Sequence, residues 1–163
     1  MQIGIPKETS EGETRVSASP ETTEKLVSKG HEVFVAQKAG ILSNFLDKDY
    51  EEAGAKICSQ NEALSKELIL KVSIPSNDEF SILKKGSTIV GMLNPFNKSG
   101  LEQLAKSGVN AFALEAAPRT TRAQSLDVLS SQANLAGYKA VLIAANEYPR
   151  LFPMLMTAAG TVQ

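Results

Sequence analysis

The sequence predicts an α/β fold, a Rossmann-like three-layer lobe on a mainly parallel sheet. Short Val/Ile-rich runs alternate with helical patterns along the chain. Several runs are almost continuously apolar, as in Thr88-Ile89-Val90-Gly91-Met92, the pattern of strands covered on both faces. The 163 residues, 42% apolar and 21% charged, can bury a core without staples.

In chain order, strands are expected at Gln2–Ile5, Glu32–Ala36, Leu68–Val72, Ser87–Met92 and Asn110–Leu114, each bounded by Gly, Pro or polar residues. Between the first two, Pro20 to Ser28 gathers Thr23, Leu26 and Val27 before the stop signal Gly30. Shorter helices are expected over 47–53, 61–66 and 78–83. Over 100–107, Leu101, Leu104 and Ala105 share a face and Gly108 ends the helix. The longest helical signal runs from Ala123 to Glu147. Thr121 and Gln124 match a capping box at its start, and Pro149 marks its end. A helix of that length spans roughly 35 Å at 1.5 Å per residue, the size of an interdomain element. The expected division is therefore an α/β lobe at 1–122, an interdomain helix at 123–147 and a linker at 148–163. The apolar tail from Phe152 to Met156 has no later element to pack on, which reads as a chain interrupted at a domain boundary.

Charge and composition exclude several classes. With 17 basic and 18 acidic residues the chain lacks the footprint of a nucleic-acid-binding or polybasic membrane-surface protein. One cysteine, Cys58, and one histidine, His31, exclude a disulfide framework and a Cys- or His-built metal centre, so no metal is expected. Cys58 is expected as buried filler and His31 at a strand edge. The longest apolar run, Ala140 to Ala145, is far short of the ~18 residues of a spanning helix, and no signal-peptide pattern opens the chain. The expected setting is cytoplasmic.

The glycines are scattered and form neither a G-x-G-x-x-G turn nor a P-loop. Arg15, after the first strand, can grip a carboxylate or phosphate, or be tied to Glu8 or Glu13; its neighbours favour the tie. Lys71 interrupts an apolar strand and must be paired or face a cleft. The densest polar cluster runs from Arg119 to Asn134. Asp127, Ser130, Ser131 and Asn134 fall on one helix face, and Leu126, Leu129, Ala133, Ala136 and Ala140 on another. A carboxylate, cations and amides at a helix start suit a polar ring such as a carboxamide. Without a Ser–His or Cys–His pair, the chemistry is one of positioning.

The run Arg119-Thr-Thr-Arg-Ala-Gln-Ser-Leu-Asp-Val-Leu-Ser-Ser-Gln-Ala-Asn-Leu-Ala-Gly-Tyr-Lys-Ala-Val resembles the signature of the NAD-binding subunit of proton-translocating NAD(P) transhydrogenase. Ile3-Gly-Ile-Pro-Lys-Glu8, Glu13-Thr-Arg-Val16 and Ile69-Leu-Lys-Val72 are similar to motifs shared by that subunit and alanine dehydrogenase. The resemblance covers essentially the whole chain. It implies that NAD(H) is bound by the complete subunit and NADP(H) by a partner domain, with hydride passing directly between the two nicotinamides. It assigns Arg119, Asp127 and Ser130 to the nicotinamide end of NAD(H), Gln124 to the NADP(H) side, and catalytic positioning to Gln124 and Asp127. Arg15 and Lys71 match the substrate-pocket positions of alanine dehydrogenase. The histidine which that enzyme carries after the later motif strand is absent around Gly91–Pro95.

The implied partners are a missing NAD-binding lobe, the NADP(H)-binding domain and the membrane-spanning components, with a homodimer in the complete subunit and a location peripheral to the inner membrane. Because the dinucleotide-binding lobe with its Gly-rich turn is absent, the chain alone is expected to be inactive. The alternatives are an alanine dehydrogenase-type fragment and a non-catalytic interaction domain.

Overall fold

A computed structural model of the chain describes residues 1–118 and 120–162. Six strands form one parallel sheet: β1 (Gln2–Ile5), β2 (Glu32–Ala36), β3 (Lys56–Cys58), β4 (Leu68–Ser73), β5 (Thr88–Met92) and β6 (Asn110–Ala113), in the order β3-β2-β1-β4-β5-β6. β1 and β2 carry the expected bounds. β3 is not among the expected strands: three residues are too short to display a period, and its pairing with β2 creates it.

The connecting helices are α1 (Pro20–Ser28), α2 (Asp47–Glu52), α3 (Gln60–Leu64), α4 (Asn77–Phe80) and α5 (Lys98–Ser107). Local chemistry sets their ends. Ser19, Ser59, Ser76 and Asn97 cap α1, α3, α4 and α5 by accepting a backbone N–H with the side chain. Gly108 ends α5 at φ +70°, a backbone conformation that a side chain would resist. α4 is shorter than the expected 78–83, and Leu83 serves instead in the core packed on β4 and β5.

Apolar packing divides along the sheet. One cluster joins Ile3, Ile5, Val33 and Val35 to Ala18 and Tyr50; a second joins Ile69 and Ile89 to Leu64, Leu83, Leu93 and Leu104. The buried Tyr50 hydroxyl donates to the Ala18 carbonyl at 2.8 Å, and burial pushes its pKa up to about 12. Gly4 lets α3 approach the sheet, since a Cβ there would collide with the Ala63 carbonyl oxygen.

The expected long helix begins later than the sequence pattern suggests. Thr121–Leu126 is a 3-10 segment, and α6 runs over Val128–Glu147. The capping box at Thr121 and Gln124 does not form; Thr120 precedes the 3-10 turn without a side-chain cap. Asp127 is the true N-cap. Its Oδ1 accepts the Ser130 N–H at 3.0 Å and its Oδ2 the Ser130 hydroxyl at 2.6 Å. A carboxylate here satisfies an orphan donor and complements the helix dipole, so the α-helix starts one residue after it. α6 buries none of its residues. The tail forms an antiparallel hairpin of β7 (Leu155–Thr157) and β8 (Gly160–Val162) rather than a bare linker. No helix among the described residues is long and apolar enough to cross a membrane.

Candidate functional site

Strand order reverses between β1 and β4, and open parallel sheets bind ligands at the carboxyl ends of the strands at such a point. The long segment after β1, residues 6–19, and the end of β4 meet there. A β-bulge interrupts the β4–β5 ladder between Leu70 and Ser73. The bulge turns the Val72 and Ser73 N–H groups toward Glu8, whose carboxylate accepts them at 2.6 and 3.3 Å. It also presses the Lys71 carbonyl against β5, where a Cβ at Gly91 would collide with it. These two backbone N–H groups are thus already taken by a side chain of the chain itself.

Lys71, with a side chain only 1% exposed, is ion-paired to Glu8 at 3.3 Å and Glu79 at 3.2 Å. Gln60 Nε2 donates to Glu79 at 3.0 Å and to the Lys7 carbonyl at 2.9 Å, which closes the network. Arg15 takes Glu13 rather than Glu8. Its Nε and Nη2 donate to the two Glu13 oxygens at 2.8 and 2.6 Å, and Nη1 donates to Gln132 Oε1 at 2.8 Å. The Arg15 hydrogen bond holds the Glu13 carboxyl below its ordinary value, and Glu13 in turn raises Arg15. Arg15 and Lys71 line one open cavity of about 390 Å³ together with Ser17, Val90, Met92 and Gln132. Both cations are therefore paired within the chain, and both still reach the cavity wall.

A second, smaller cavity of about 150 Å³ lies at the foot of α6. Gln124, Asp127, Glu115 and Pro118 line it. Nothing local in the sequence marks Glu115, a lone glutamate after a strand. Its Oε1 accepts the Asn94 N–H at 2.6 Å, which pins Asn94 in a left-handed conformation at φ +50°. Its Oε2 is buried without a hydrogen-bond partner. Ser130 belongs to the same unit through its two bonds to Asp127. Arg119 lies outside the described residues. Cys58 is a buried free thiol whose pKa burial pushes up to about 11, which makes it filler rather than a nucleophile.

The family described as "Alanine dehydrogenase/PNT, N-terminal domain" matches residues 4–136. The chain belongs to this family. Among its curated relatives is the first portion of the NAD(P) transhydrogenase alpha subunit of Rhodospirillum rubrum, 46% identical over 170 residues, covering 99% of this chain and 44% of that protein. The chain is 34% identical to alanine dehydrogenase 1 of Staphylococcus aureus, covering 89% of this chain and 38% of that one. The crystal structure of transhydrogenase from Sinorhizobium meliloti superposes with a TM-score of 0.91 at 46% identity, over 99% of this chain and 49% of that chain. The chain thus spans less than half the length of these relatives. The family is one of oxidoreductases with an NAD-related function.

Proposed function

We propose that the chain is the N-terminal part of a proton-translocating NAD(P) transhydrogenase subunit, and that it positions the nicotinamide of NAD(H) for direct hydride transfer to NADP⁺. The observation that carries this is the shared cavity of Gln124, Asp127 and Glu115 at the N-cap of α6. It offers carboxylate oxygens, one of them buried and unpartnered, beside an amide. A primary carboxamide brings two N–H donors, so the residues fit the ring end of a nicotinamide cofactor. They do not fit its diphosphate, because two carboxylates repel an anion, and at the switch point Glu8 already takes the Val72 and Ser73 N–H groups.

In this reading Arg119, Asp127 and Ser130 hold the nicotinamide end of NAD(H), and Gln124 reaches toward NADP(H) on a partner domain. The bound cofactors supply the hydride donor and acceptor. The chain supplies orientation: Asp127, fixed by two bonds to Ser130, presents its oxygens from the start of a 20-residue helix. The full assembly includes the NAD-binding lobe, the NADP(H)-binding domain, membrane-spanning components that carry the proton coupling, and a second copy of the subunit. The chain alone performs no turnover and sits at the cytoplasmic side of the membrane through its partners.

The alanine dehydrogenase-type reading draws support from Arg15 and Lys71 on one cavity wall. It is weakened because both cations are already ion-paired within the chain.

The test follows the transferred hydrogen in the assembled enzyme. NADH carrying deuterium at the transferring position of C4 is supplied with NADP⁺. The C4–D bond of NADH breaks as a C4–D bond forms on NADP⁺, leaving NAD⁺. Full retention of label in NADPH is expected. Loss of label to water, or no NADPH formed, contradicts the proposal.

A further inference from the structure

We propose that Arg15 is a positioning residue that fixes the start of α6 through Gln132, and thereby sets where Asp127 and Ser130 present their oxygens. This rests on the nicotinamide-positioning reading above. α6 has 20 residues and buries none of them. Among the described residues, one side-chain hydrogen bond joins α6 to the sheet lobe: Arg15 Nη1 to Gln132 Oε1 at 2.8 Å, across 117 positions of sequence.

Both partners are prepared for that bond. The Arg15 guanidinium is held as a fork on Glu13, with Nε at 2.8 Å and Nη2 at 2.6 Å, and its backbone N–H donates to the same carboxylate at 2.9 Å. Only the Nη1 edge is left over, and it meets Gln132. A planar, doubly anchored guanidinium loses little freedom in one further bond, which a lysine could not imitate. On α6, Val128, Gln132 and Leu135 recur at spacings of four and three, and all three line the larger cavity. That face of α6 borders the cavity between the helix and the lobe. Its first residue adjoins the Asp127 cap, so a shift at Gln132 moves the Asp127–Ser130 unit with it. Leu114 lines both the larger cavity and the one at the foot of α6, so the two adjoin.

The test uses the assembled transhydrogenase that contains this chain, with hydride transfer and NADH binding measured separately and melting temperature recorded for each variant. Gln132→Leu keeps the shape and removes the acceptor. It is expected to slow hydride transfer about tenfold, since small misplacements of a reacting ring are costly, while NADH affinity changes less than about threefold. Gln132→Glu keeps an acceptor and is expected to retain the wild-type rate, a rescue that a merely structural role would not give. Arg15→Ala combined with Gln132→Leu is expected to be no slower than the slower single variant, as for two ends of one interaction.

If Arg15 instead grips an anionic substrate, Arg15→Ala raises KM, Gln132→Leu is silent and the inference is overturned. Additive single effects, or equal losses in Gln132→Glu and Gln132→Leu, overturn it too. An active wild type with a silent Gln132→Leu removes only this inference; a wild type without hydride transfer removes it together with the reading beneath it.

Discussion

Glu8 and Glu13 stand on one loop and take different work. Glu13 holds the fork of Arg15, while Glu8 satisfies two N–H groups freed by the β4 bulge and pairs Lys71. Asp127 is the residue where structure and proposed chemistry coincide, and substitution can separate the two. Asparagine caps helices about as well as aspartate, so Asp127→Asn is expected to leave thermal stability within about 0.5 kcal/mol of wild type. Asp127→Ala is expected to lose about 1 kcal/mol with the cap. Both are expected to slow hydride transfer in the assembled enzyme at least tenfold, because each removes the charge facing the cavity. Equal rates for Asp127→Asn and wild type would confine Asp127 to capping. The closeness of Asp127 and Ser130 is legible in the sequence because they lie three apart in a dense polar run, whereas the capping role of Asp127 is not. Glu115 is not, because its significance comes from a partner 21 positions away and from one buried oxygen.

At the scale of elements, close backbone approach decides where side chains are forbidden. Gly4→Ala is expected to destabilise the chain by about 1–3 kcal/mol, since α3 must retreat from β1 to clear the Ala63 carbonyl. Gly137→Ala, on the exposed surface of α6 with nothing within 4 Å, is expected to do the opposite, stabilising by about 0.5–1 kcal/mol through helix propensity. Urea unfolding of both variants against wild type reads the two signs. The strands β1 and β2 can be read from sequence because each is a bounded, β-branched run of four or five residues. β3 cannot, because its three residues become a strand only by pairing with β2. The sequence pattern also starts the long helix at Ala123, ahead of its true first residue, Val128. The pattern around Thr121 satisfies a capping rule locally, but the Asp127 carboxylate makes the stronger cap, and the turn before it tightens to 3-10 geometry.

For the whole molecule, the sheet has the strand order of a dinucleotide-binding fold without the glycine turn that would grip a diphosphate. Shortly after β1 a carboxylate, Glu8, instead accepts two N–H groups at the end of β4. In the proposed reading the lobe contributes position rather than grip, with one cavity beside the cap of α6 and the dinucleotide held by a separate lobe. The alternation of strands and helices makes the parallel sheet legible from the sequence. The tie of Arg15 to a nearby glutamate is legible too, since Glu13 lies two residues away; the partners of Lys71 are not, since Glu8 reaches it from a distant loop and also takes two N–H groups freed by the bulge across 64 and 65 positions. A calorimetric titration of NADH into the 163-residue chain by itself examines this division of labour. No saturable binding tighter than about 1 mM is expected, which corresponds to less than ~4 kcal/mol. A clear micromolar affinity would mean that this lobe grips the dinucleotide itself, and would contradict the assignment.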